Sequence, residues 1–221
     1  IRVLRAAGYD VFAPAPAAGR PYCCGRTYLS AGMVDKARAE AERLVTALYP
    51  LARSGVRIVG LEPSCTLALR DEVPALLGTA QAEAVAEATL TFAELIEADR
   101  PDLPVPAAAA RRPVKLHGHC HQKAFDLVKP AEAVLRDIAG AEVEVIETSC
   151  CGMAGAFGYG RDTYDVSIHM AEASLLPAVR AAPDEAAIVA DGTSCRCQIS
   201  DGTGREAVHL ARHLDRLISG S

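Results

Sequence analysis

Two pairs of adjacent cysteines, each followed by glycine, are the residues of this sequence best suited to carry chemistry. They are Cys150-Cys151-Gly152 and, much earlier in the chain, Cys23-Cys24-Gly25. A disulfide between neighbouring cysteines has distorted geometry, so an adjacent pair is rarely a structural crosslink. The two pairs therefore indicate a metal site or a redox site.

Further cysteines accompany both pairs. Each pair is followed by an apolar run that ends in Ser-Cys, at Cys65 and at Cys195. This recurrence predicts an internal repeat of one supersecondary unit. The second copy also has Cys120 ahead of its pair and Cys197 at its end.

Several thiolates that converge select zinc, copper or an iron-sulfur cluster, because thiolates are soft ligands. Zinc sites usually take two ligands from a C-x2-4-C knuckle, which this sequence lacks, whereas adjacent cysteines can bind different metal atoms of one cluster. We favour an iron-sulfur cluster; zinc and purely structural or redox cysteines remain alternatives. The backbone N–H groups of Gly152 and Gly155 are expected to lie close to such a cluster and to point at its sulfurs.

Three histidines alternate around Cys120: His117, His119 and His121. In an extended segment they would share one face, while Cys120 would point to the other. They are either loop histidines held by backbone hydrogen bonds or residues with a role beside the cluster or in proton delivery.

His209 and His213 are spaced four residues apart on a predicted helix, a spacing that could suit zinc. The sequence has no Glu between them in a metalloprotease pattern. We therefore expect a solvated helix face there.

Strand patterns place the cysteines at strand exits. The predicted strands are Tyr9–Ala13, Val56–Leu61, one from Val114 towards Cys120, Val143–Ile146, and one that ends at Cys195. The predicted helices are Val34–Leu51, Asp71–Leu77, Ala82–Ala98, one through Leu135 and Ile138, Asp162–Val179, and a closing helix with Ala207, Leu210, Ala211, Leu214, Leu217 and Ile218 on its buried stripe. Such alternation predicts an α/β fold with parallel sheets, whose ligands gather at the carboxyl ends of the strands.

Composition narrows the class of protein. The chain has 221 residues, half of them hydrophobic, eight cysteines and a net charge of -5. The acidic balance argues against a nucleic-acid partner, and neither a transmembrane segment nor a signal peptide is visible. Together with the cysteine pattern, this predicts a cytoplasmic protein in a reducing compartment. Peripheral association with the inner face of the membrane is compatible with this cytoplasmic location.

The chain is expected to contain two units. We predict a first cysteine-rich unit at residues 1–100, a Pro- and Ala-rich linker at 101–113 and a second unit at 114–221. Residues 1–8 have the pattern of the last turns of a helix closed by Gly8. We therefore expect further sequence to precede Ile1.

The cysteine pattern resembles the CCG family, the cysteine-rich module found in heterodisulfide reductases and in several iron-sulfur oxidoreductases. The matching residues are Cys120, Cys150-Cys151-Gly152 and Cys195. The resemblance implies two similar CCG units, each a small parallel sheet flanked by helices, and a 4Fe-4S cluster. It implies Cys120, Cys150, Cys151, Cys195, Cys197, Cys23, Cys24 and Cys65 as metal ligands.

A closer resemblance is to the carboxyl-terminal region of FAD- and iron-sulfur-dependent D-2-hydroxyacid dehydrogenases, of the D-lactate or D-2-hydroxyglutarate type. It rests on the runs 117–124, 150–155, 192–195 and 202–204, with the runs 23–26 and 61–65 of the first unit. It implies an electron-transfer module that passes electrons from FAD to a quinone or a carrier protein. The FAD would lie in a preceding flavin domain or in a flavoprotein partner.

The sequence also departs from the family pattern. The first unit lacks a leading cysteine and a second thiol after Cys65, and Cys195-Arg196-Cys197 replaces a C-x-x-C. A catalytic component of the heterodisulfide reductase kind and a zinc-stabilised interaction domain remain alternative functions. No catalytic residue is predicted, and the chain by itself is expected only to carry electrons.

Overall fold

A computed structural model describes residues 1–16, 19–106 and 111–220. Contacts group the chain into two compact units: a small unit, Val11–Leu95, and a large unit, Ile1–Asp10 with Ile96–Ser221. Part of the predicted linker, residues 107–110, lies outside the described residues. The predicted domain bounds therefore stay a prediction.

Helices and short parallel strands alternate along the described chain. The helices are α1 (Arg2–Ala6), α2 (Arg26–Ser30), α3 (Val34–Arg53), α4 (Pro63–Arg70), α5 (Glu72–Leu77), α6 (Ala80–Ala88), α7 (Phe92–Asp99), α8 (Cys120–Ala124), α9 (Val128–Ala133), α10 (Tyr164–Glu172), α11 (Leu175–Arg180), α12 (Thr193–Thr203) and α13 (Leu210–Ser219). The strands are β1 (Ile58–Gly60), β2 (Thr89–Thr91), β3 (Pro113–His117), β4 (Glu142–Val145), β5 (Ala187–Ala190) and β6 (Ala207–Val208). A π-helical turn, Val134–Ile138, continues α9, and a 3-10 turn spans Phe157–Tyr159. None of the described helices combines the length and the apolar character needed to cross a bilayer.

The small unit contains a sheet in which β1 pairs with β2 in parallel. The predicted helix Val34–Leu51 is confirmed as α3, which ends two residues later at Arg53. Its apolar stripe packs on α5 and α6 because the stripe recurs with the helical period. The buried core of this unit includes a cluster of Ala41, Val45, Leu48, Leu69, Val73, Ala82 and Val85.

Two predictions for the first half of the chain were wrong. The predicted helix Ala82–Ala98 is interrupted by β2, in which Thr89 and Thr91 are buried and paired with β1. The Thr89 hydroxyl donates to the Val85 carbonyl at 2.6 Å where α6 ends. The predicted strand Tyr9–Ala13 does not form, because no described strand lies beside it to complete its hydrogen bonds.

The large unit contains a parallel sheet of four strands in the order β4-β3-β5-β6. This confirms the predicted α/β class with small parallel sheets. Val114 on β3 lies opposite Val143 on β4 and Ala187 on β5. Ile188, Val189 and Ala190 of β5 are fully buried, as expected for a strand covered on both faces.

The chain order of the large sheet creates a crevice at its carboxyl edge. From β3 the chain moves to β4 on one side and later to β5 on the other, and ligands bind where the strand order reverses in this way. The predicted strand towards Cys195 ends earlier, at Ala190, and α12 begins at Thr193. Cys195 therefore lies in the first turn of a helix.

The remaining helices of the large unit differ from the prediction in their bounds. The predicted helix Asp162–Val179 is split into α10 and α11, with a break after Glu172. The closing helix starts at Leu210, so Ala207 belongs to β6 instead.

The predicted solvated face at His209 and His213 is wrong, since these residues are only 9% and 7% exposed. His209 caps α13: its Nδ1 accepts the Ala211 N–H at 2.9 Å. The buried Asp191 carboxylate accepts the Leu210 N–H at 3.0 Å. A side chain that accepts a hydrogen bond from the first N–H groups of a buried helix end is buried together with that end.

We predict that His213 makes the large unit acid-sensitive. Burial lowers the His213 pKa to about 4, and the nearby Arg216 and Arg112 act in the same direction. The unfolded chain therefore binds a proton at a higher pH than the folded chain does. On going from pH 7 to pH 5, protonation of His213 in the unfolded chain should therefore lower the free energy of unfolding by about 2 kcal/mol.

Urea denaturation of the wild type and of His213→Leu at both pH values measures this cost. The variant should lose less stability on acidification, by about the same amount. His169→Leu, which replaces an exposed histidine of α10, is the matched control and should follow the wild type. Equal pH dependence of His213→Leu and the wild type would contradict the prediction.

Candidate metal centre

Four cysteine side chains of the large unit meet at the carboxyl edge of its sheet. Cys120 is the first residue of α8, Cys150 and Cys151 lie in the loop after β4, and Cys195 lies in α12. Cys120 and Cys151 are each hydrogen-bonded to Cys150, and Cys151 also contacts Cys195 through a hydrogen bond. The structure thus brings together four of the eight predicted metal ligands in one connected group.

Contacts among the four sulfurs shift their pKa values in opposite directions. Cys150 accepts hydrogen bonds from the thiols of Cys120 and Cys151, which hold its pKa far below the usual range. The hydrogen bond with Cys151 lowers the pKa of Cys195 to about 5, and the nearby His117 and His119 act in the same direction. The same contacts, together with burial, raise the pKa of Cys120 and of Cys151. Since the thiolate is the form that binds metal, the site already favours ligation at two positions.

A left-handed glycine shapes the turn at the cysteine pair. Gly152 has a φ of 85°, and its N–H donates to Cys150 Sγ at 3.3 Å. A Cβ at this position would lie 2.2 Å from the Ser167 carbonyl oxygen of α10, so only glycine fits. Gly155 also has a positive φ, but it borders open space, and its N–H donates to Ser194 Oγ at 3.3 Å. A cofactor-binding role for these two glycines stays a prediction.

The small unit repeats this turn. Gly25 has a φ of 80°, its N–H donates to Cys23 Sγ at 3.4 Å, and a Cβ would lie 2.6 Å from the Ala37 carbonyl oxygen of α3. A hydrogen bond from Cys65 lowers the pKa of Cys24 to about 6 and raises that of Cys65. Cys65 is the third residue of α4, as Cys195 is the third residue of α12. The small unit therefore gathers three thiols at matching positions, one fewer than the large unit. The hydrogen bond to the trailing cysteine runs in the opposite direction, since Cys65 donates to Cys24 whereas Cys151 donates to Cys195.

The three alternating histidines are not in one extended segment. The strand β3 ends at His117, and His119 caps α8, where its Nδ1 accepts the His121 N–H at 3.1 Å. Gln122 Oε1 in turn accepts the His119 N–H at 3.0 Å. The expectation that these residues share one face is therefore wrong, and His119 has the structural role of a helix cap.

His117 instead faces the thiols. It is 1% exposed, and one of its ring nitrogens lies within 4.8 Å of the sulfurs of Cys151 and Cys195. Its Nδ1 is 3.2 Å from Thr148 Oγ1, whereas its buried Nε2 has no hydrogen-bond partner among the described residues.

Lys123, to which the sequence patterns assigned no role, ties the cysteine loop to α8. Its Nζ donates to the Thr148 carbonyl at 2.6 Å, to Thr148 Oγ1 at 2.7 Å and to the Ser149 carbonyl at 3.2 Å. Burial lowers the Lys123 pKa, and the neighbouring cysteines oppose that shift. The sequence feature that could have indicated this role is the spacing of Lys123 from Cys120, since residues three apart on a helix share a face.

Gly192, which precedes α12, was also not singled out as a site residue. A Cβ there would lie 2.3 Å from His119 Cδ2 and 3.2 Å from Cys195 Sγ. The absence of a side chain thus lets α12 approach the helix cap of α8. The sequence marks this glycine only as the first residue of the run 192–195, and the close approach it permits depends on the packing of distant segments.

Cys197 is not among the residues that shift the pKa values of the four connected thiols, although it packs against the buried cluster that contains Cys151 and Cys195. It is two residues beyond Cys195 on α12, so its side chain points about 200° away around the helix axis. It lies beside Tyr159 and raises the pKa of that phenol. Its predicted role as a ligand stays a prediction.

The class of protein follows from these features: a parallel α/β domain with a group of cysteines at the carboxyl edge of its sheet that could hold a metal. Residues 114–200 match the sequence model of the CCG family, described as a cysteine-rich domain. This part of the chain is therefore a CCG cysteine-rich domain, as the resemblance implied.

Similar proteins include one of the subunits of anaerobic glycerol-3-phosphate dehydrogenase from Escherichia coli (strain K12). It is 27% identical over 212 residues, which are 95% of this chain and 52% of that protein. D-2-hydroxyglutarate dehydrogenase of the same strain is 29% identical over 177 residues, 78% of this chain and 17% of that enzyme. D-2-hydroxyglutarate dehydrogenase from Pseudomonas putida is 30% identical over 205 residues, 91% of this chain and 19% of that enzyme. The chain thus spans about half the length of the first relative and less than a fifth of the others.

The donors of the large unit fit an iron-sulfur cluster. Four soft sulfur donors converge, the pKa of two of them is lowered, and the buried His117 lies beside them. Soft thiolate sets of this kind select iron-sulfur clusters or zinc. Together with the CCG domain and the dehydrogenase relatives, the site indicates iron-sulfur binding.

We predict that the two glycines of the central turn differ in their tolerance of a side chain. Gly152→Ala places a Cβ against the Ser167 carbonyl oxygen and should lower the free energy of unfolding by about 3 kcal/mol. Gly155→Ala, the matched control, has a positive φ but open space and should cost about 1 kcal/mol. Urea denaturation of the metal-free chain in reductant compares them, and equal losses would contradict the proposed contact with α10.

Proposed function

We propose that this chain is the iron-sulfur electron-transfer module of a flavin-dependent dehydrogenase. In this proposal Cys120, Cys150, Cys151 and Cys195 hold a 4Fe-4S cluster in the large unit. The observation that carries the proposal is the contact among four thiols from three separate segments that follow strands at one sheet edge. A bound cluster supplies one chemical capability, the uptake and release of single electrons.

The residues of the chain have distinct tasks in such a site. Cys150 and Cys195 offer thiolates, and the Gly152 N–H stabilises negative charge on Cys150 Sγ. Cys151 and Cys195 are buried at 5% and 1% exposure, which keeps water from one side of the site. Cys120 is exposed, so the other side faces outward. An electron carrier needs this combination of a protected centre and an accessible edge.

The proposed electron donor is a flavin in the same full-length chain or in a partner flavoprotein. The flavin would take two electrons as a hydride from a hydroxylated substrate and pass them on one at a time. A D-2-hydroxyacid such as D-lactate or D-2-hydroxyglutarate is the proposed substrate, in line with the names of two relatives. A quinone or a carrier protein is the proposed acceptor.

The small unit is proposed to hold metal through Cys23, Cys24 and Cys65. Its three thiols are one fewer than a cluster with four cysteine ligands requires. A site there would have to take its remaining ligand from elsewhere. We therefore assign the main electron-carrying site to the large unit.

We predict that anaerobic reconstitution of the chain with ferrous iron and sulfide loads the large unit. Replacing Cys23, Cys24 and Cys65 together by serine should leave about four iron atoms and four sulfides per chain. In that background Cys195→Ser should lose most of this iron, because a hydroxyl is a poor ligand for a cluster. Iron and sulfide analysis, absorption spectra and EPR of the reduced chain provide the measurements.

Cys197→Ser is the matched control for Cys195→Ser, since both replace a thiol of α12. It should retain iron, because its side chain points away from the four thiols. A colourless product without EPR signal in either oxidation state would refute the cluster.

Zinc is the second candidate, favoured by the grouping of His117, Cys151 and Cys195 within 4.8 Å. Purification of the chain with stoichiometric zinc, and with neither iron nor sulfide taken up on reconstitution, would support a zinc-stabilised domain instead.

A further inference from the structure

A chain of hydrogen bonds leads from α8 to the thiol group. Lys123 Nζ lies 2.7 Å from Thr148 Oγ1, and Thr148 Oγ1 lies 3.2 Å from His117 Nδ1. His117 is almost completely buried, and a ring nitrogen lies within 4.8 Å of Cys151 and Cys195 Sγ. These three residues therefore connect an ammonium group to the metal centre.

The donors available limit the directions of these hydrogen bonds. An ammonium group has only N–H donors, so Lys123 must donate to the Thr148 oxygen. The single O–H of Thr148 can then donate to His117 Nδ1 when Nδ1 presents its lone pair, whereas a proton on Nδ1 would make the Thr148 oxygen accept both hydrogen bonds. A ring with its lone pair on Nδ1 carries its proton on Nε2.

The Nε2 of His117 makes no short hydrogen bond in this arrangement. It is buried and has no hydrogen-bond partner at the usual distance among the described residues. Because Nδ1 is occupied by Thr148, Nε2 is the nitrogen left to face the sulfurs of Cys151 and Cys195. A buried donor needs an acceptor, and these sulfurs, within 4.8 Å of a His117 ring nitrogen, are the acceptors beside it.

We propose that Lys123 and Thr148 hold His117 as an Nε2–H donor to a sulfur of the bound cluster, and that His117 is therefore a positioning residue and not a metal ligand. This inference rests on the proposed function of the large unit. Hydrogen bonds to cluster sulfurs favour the reduced, more negative state and raise the reduction potential. Metal-bound groups are tuned in this way by outer partners that do not themselves bind the metal.

The proposal can be tested first on the metal-free chain. Long-range proton–nitrogen NMR spectra of the ¹⁵N-histidine-labelled chain report which ring nitrogen carries the proton. The His117 signal, assigned by its loss in His117→Leu, should show the Nε2–H form in the wild type. In Thr148→Val the Nδ1–H form should gain population. A wild-type signal with the proton on Nδ1 would overturn the proposal.

The second test uses the reconstituted chain. His117→Leu and Thr148→Val should retain the iron content of the wild type and shift the midpoint potential, measured by EPR-monitored titration, to more negative values. His117→Gln, which keeps an N–H donor, should lie closer to the wild type. Thr46→Val, which removes an exposed hydroxyl that donates to the Glu42 carbonyl, is the matched control and should not shift the potential.

The possible outcomes separate this inference from the proposed function. Loss of iron in a folded His117→Leu chain would make His117 a ligand and overturn the donor role. Unchanged potentials in all variants would also overturn it, while the cluster assignment would stand. Failure of the wild type to take up iron would defeat the proposed function, and the NMR experiment would still decide the orientation of His117.

Discussion

Parallel pairing of β3 with both β4 and β5 is the constraint on which the candidate metal centre depends. The pairing brings the carboxyl ends of three strands to one edge, and the loop after each strand carries one part of the thiol group. A shift of one residue in the register would turn every side chain of a strand to the opposite face. His117, the last residue of β3, would then leave the sulfurs of Cys151 and Cys195.

The Cys-Cys-Gly turn allows close packing against a helix in both units. The chain turns sharply at the cysteine pair, and a helix packs directly against the backbone of the turn. In each unit a glycine with positive φ lies against a helix carbonyl oxygen at a distance that no side chain would permit, that of Ser167 in α10 and that of Ala37 in α3. The glycine N–H also contacts the first sulfur of its own pair. The repeat is therefore one of backbone geometry as well as of sequence.

The two units differ in how completely they surround this turn. In the large unit β3 and α8 contribute Cys120, and β5 and α12 contribute Cys195. In the small unit β1 and α4 contribute Cys65, but no described strand takes the place that β3 has in the large sheet. The sequence shows that the first unit lacks a leading cysteine. The smaller sheet, which lacks a described strand equivalent to β3, is the structural counterpart of that difference.

Sequence patterns were most informative where a single element determines the outcome. The apolar stripe of α3, the apolar run of β5 and the exit of β4 towards Cys150 were all predictable from local periodicity. Errors arose where a distant partner decides the local structure. Thr89–Thr91 becomes a strand inside an alanine-rich stretch because β1 lies beside it. The segment 9–13, with an equally plausible pattern, remains without a described partner strand.

The sequence by itself determined the type of chemistry, since paired cysteines and the Ser-Cys runs limit the ligands to soft sulfur donors. Only the tertiary structure decided which sulfurs meet: it joins Cys195 to the group and turns Cys197 towards Tyr159. It also gave His119 a capping role and left His117 beside the thiols. The physical reason is that residue types and short spacings specify possible ligands. Contacts between distant segments depend instead on strand register and on the rotational phase of each helix, which packing of the whole domain sets.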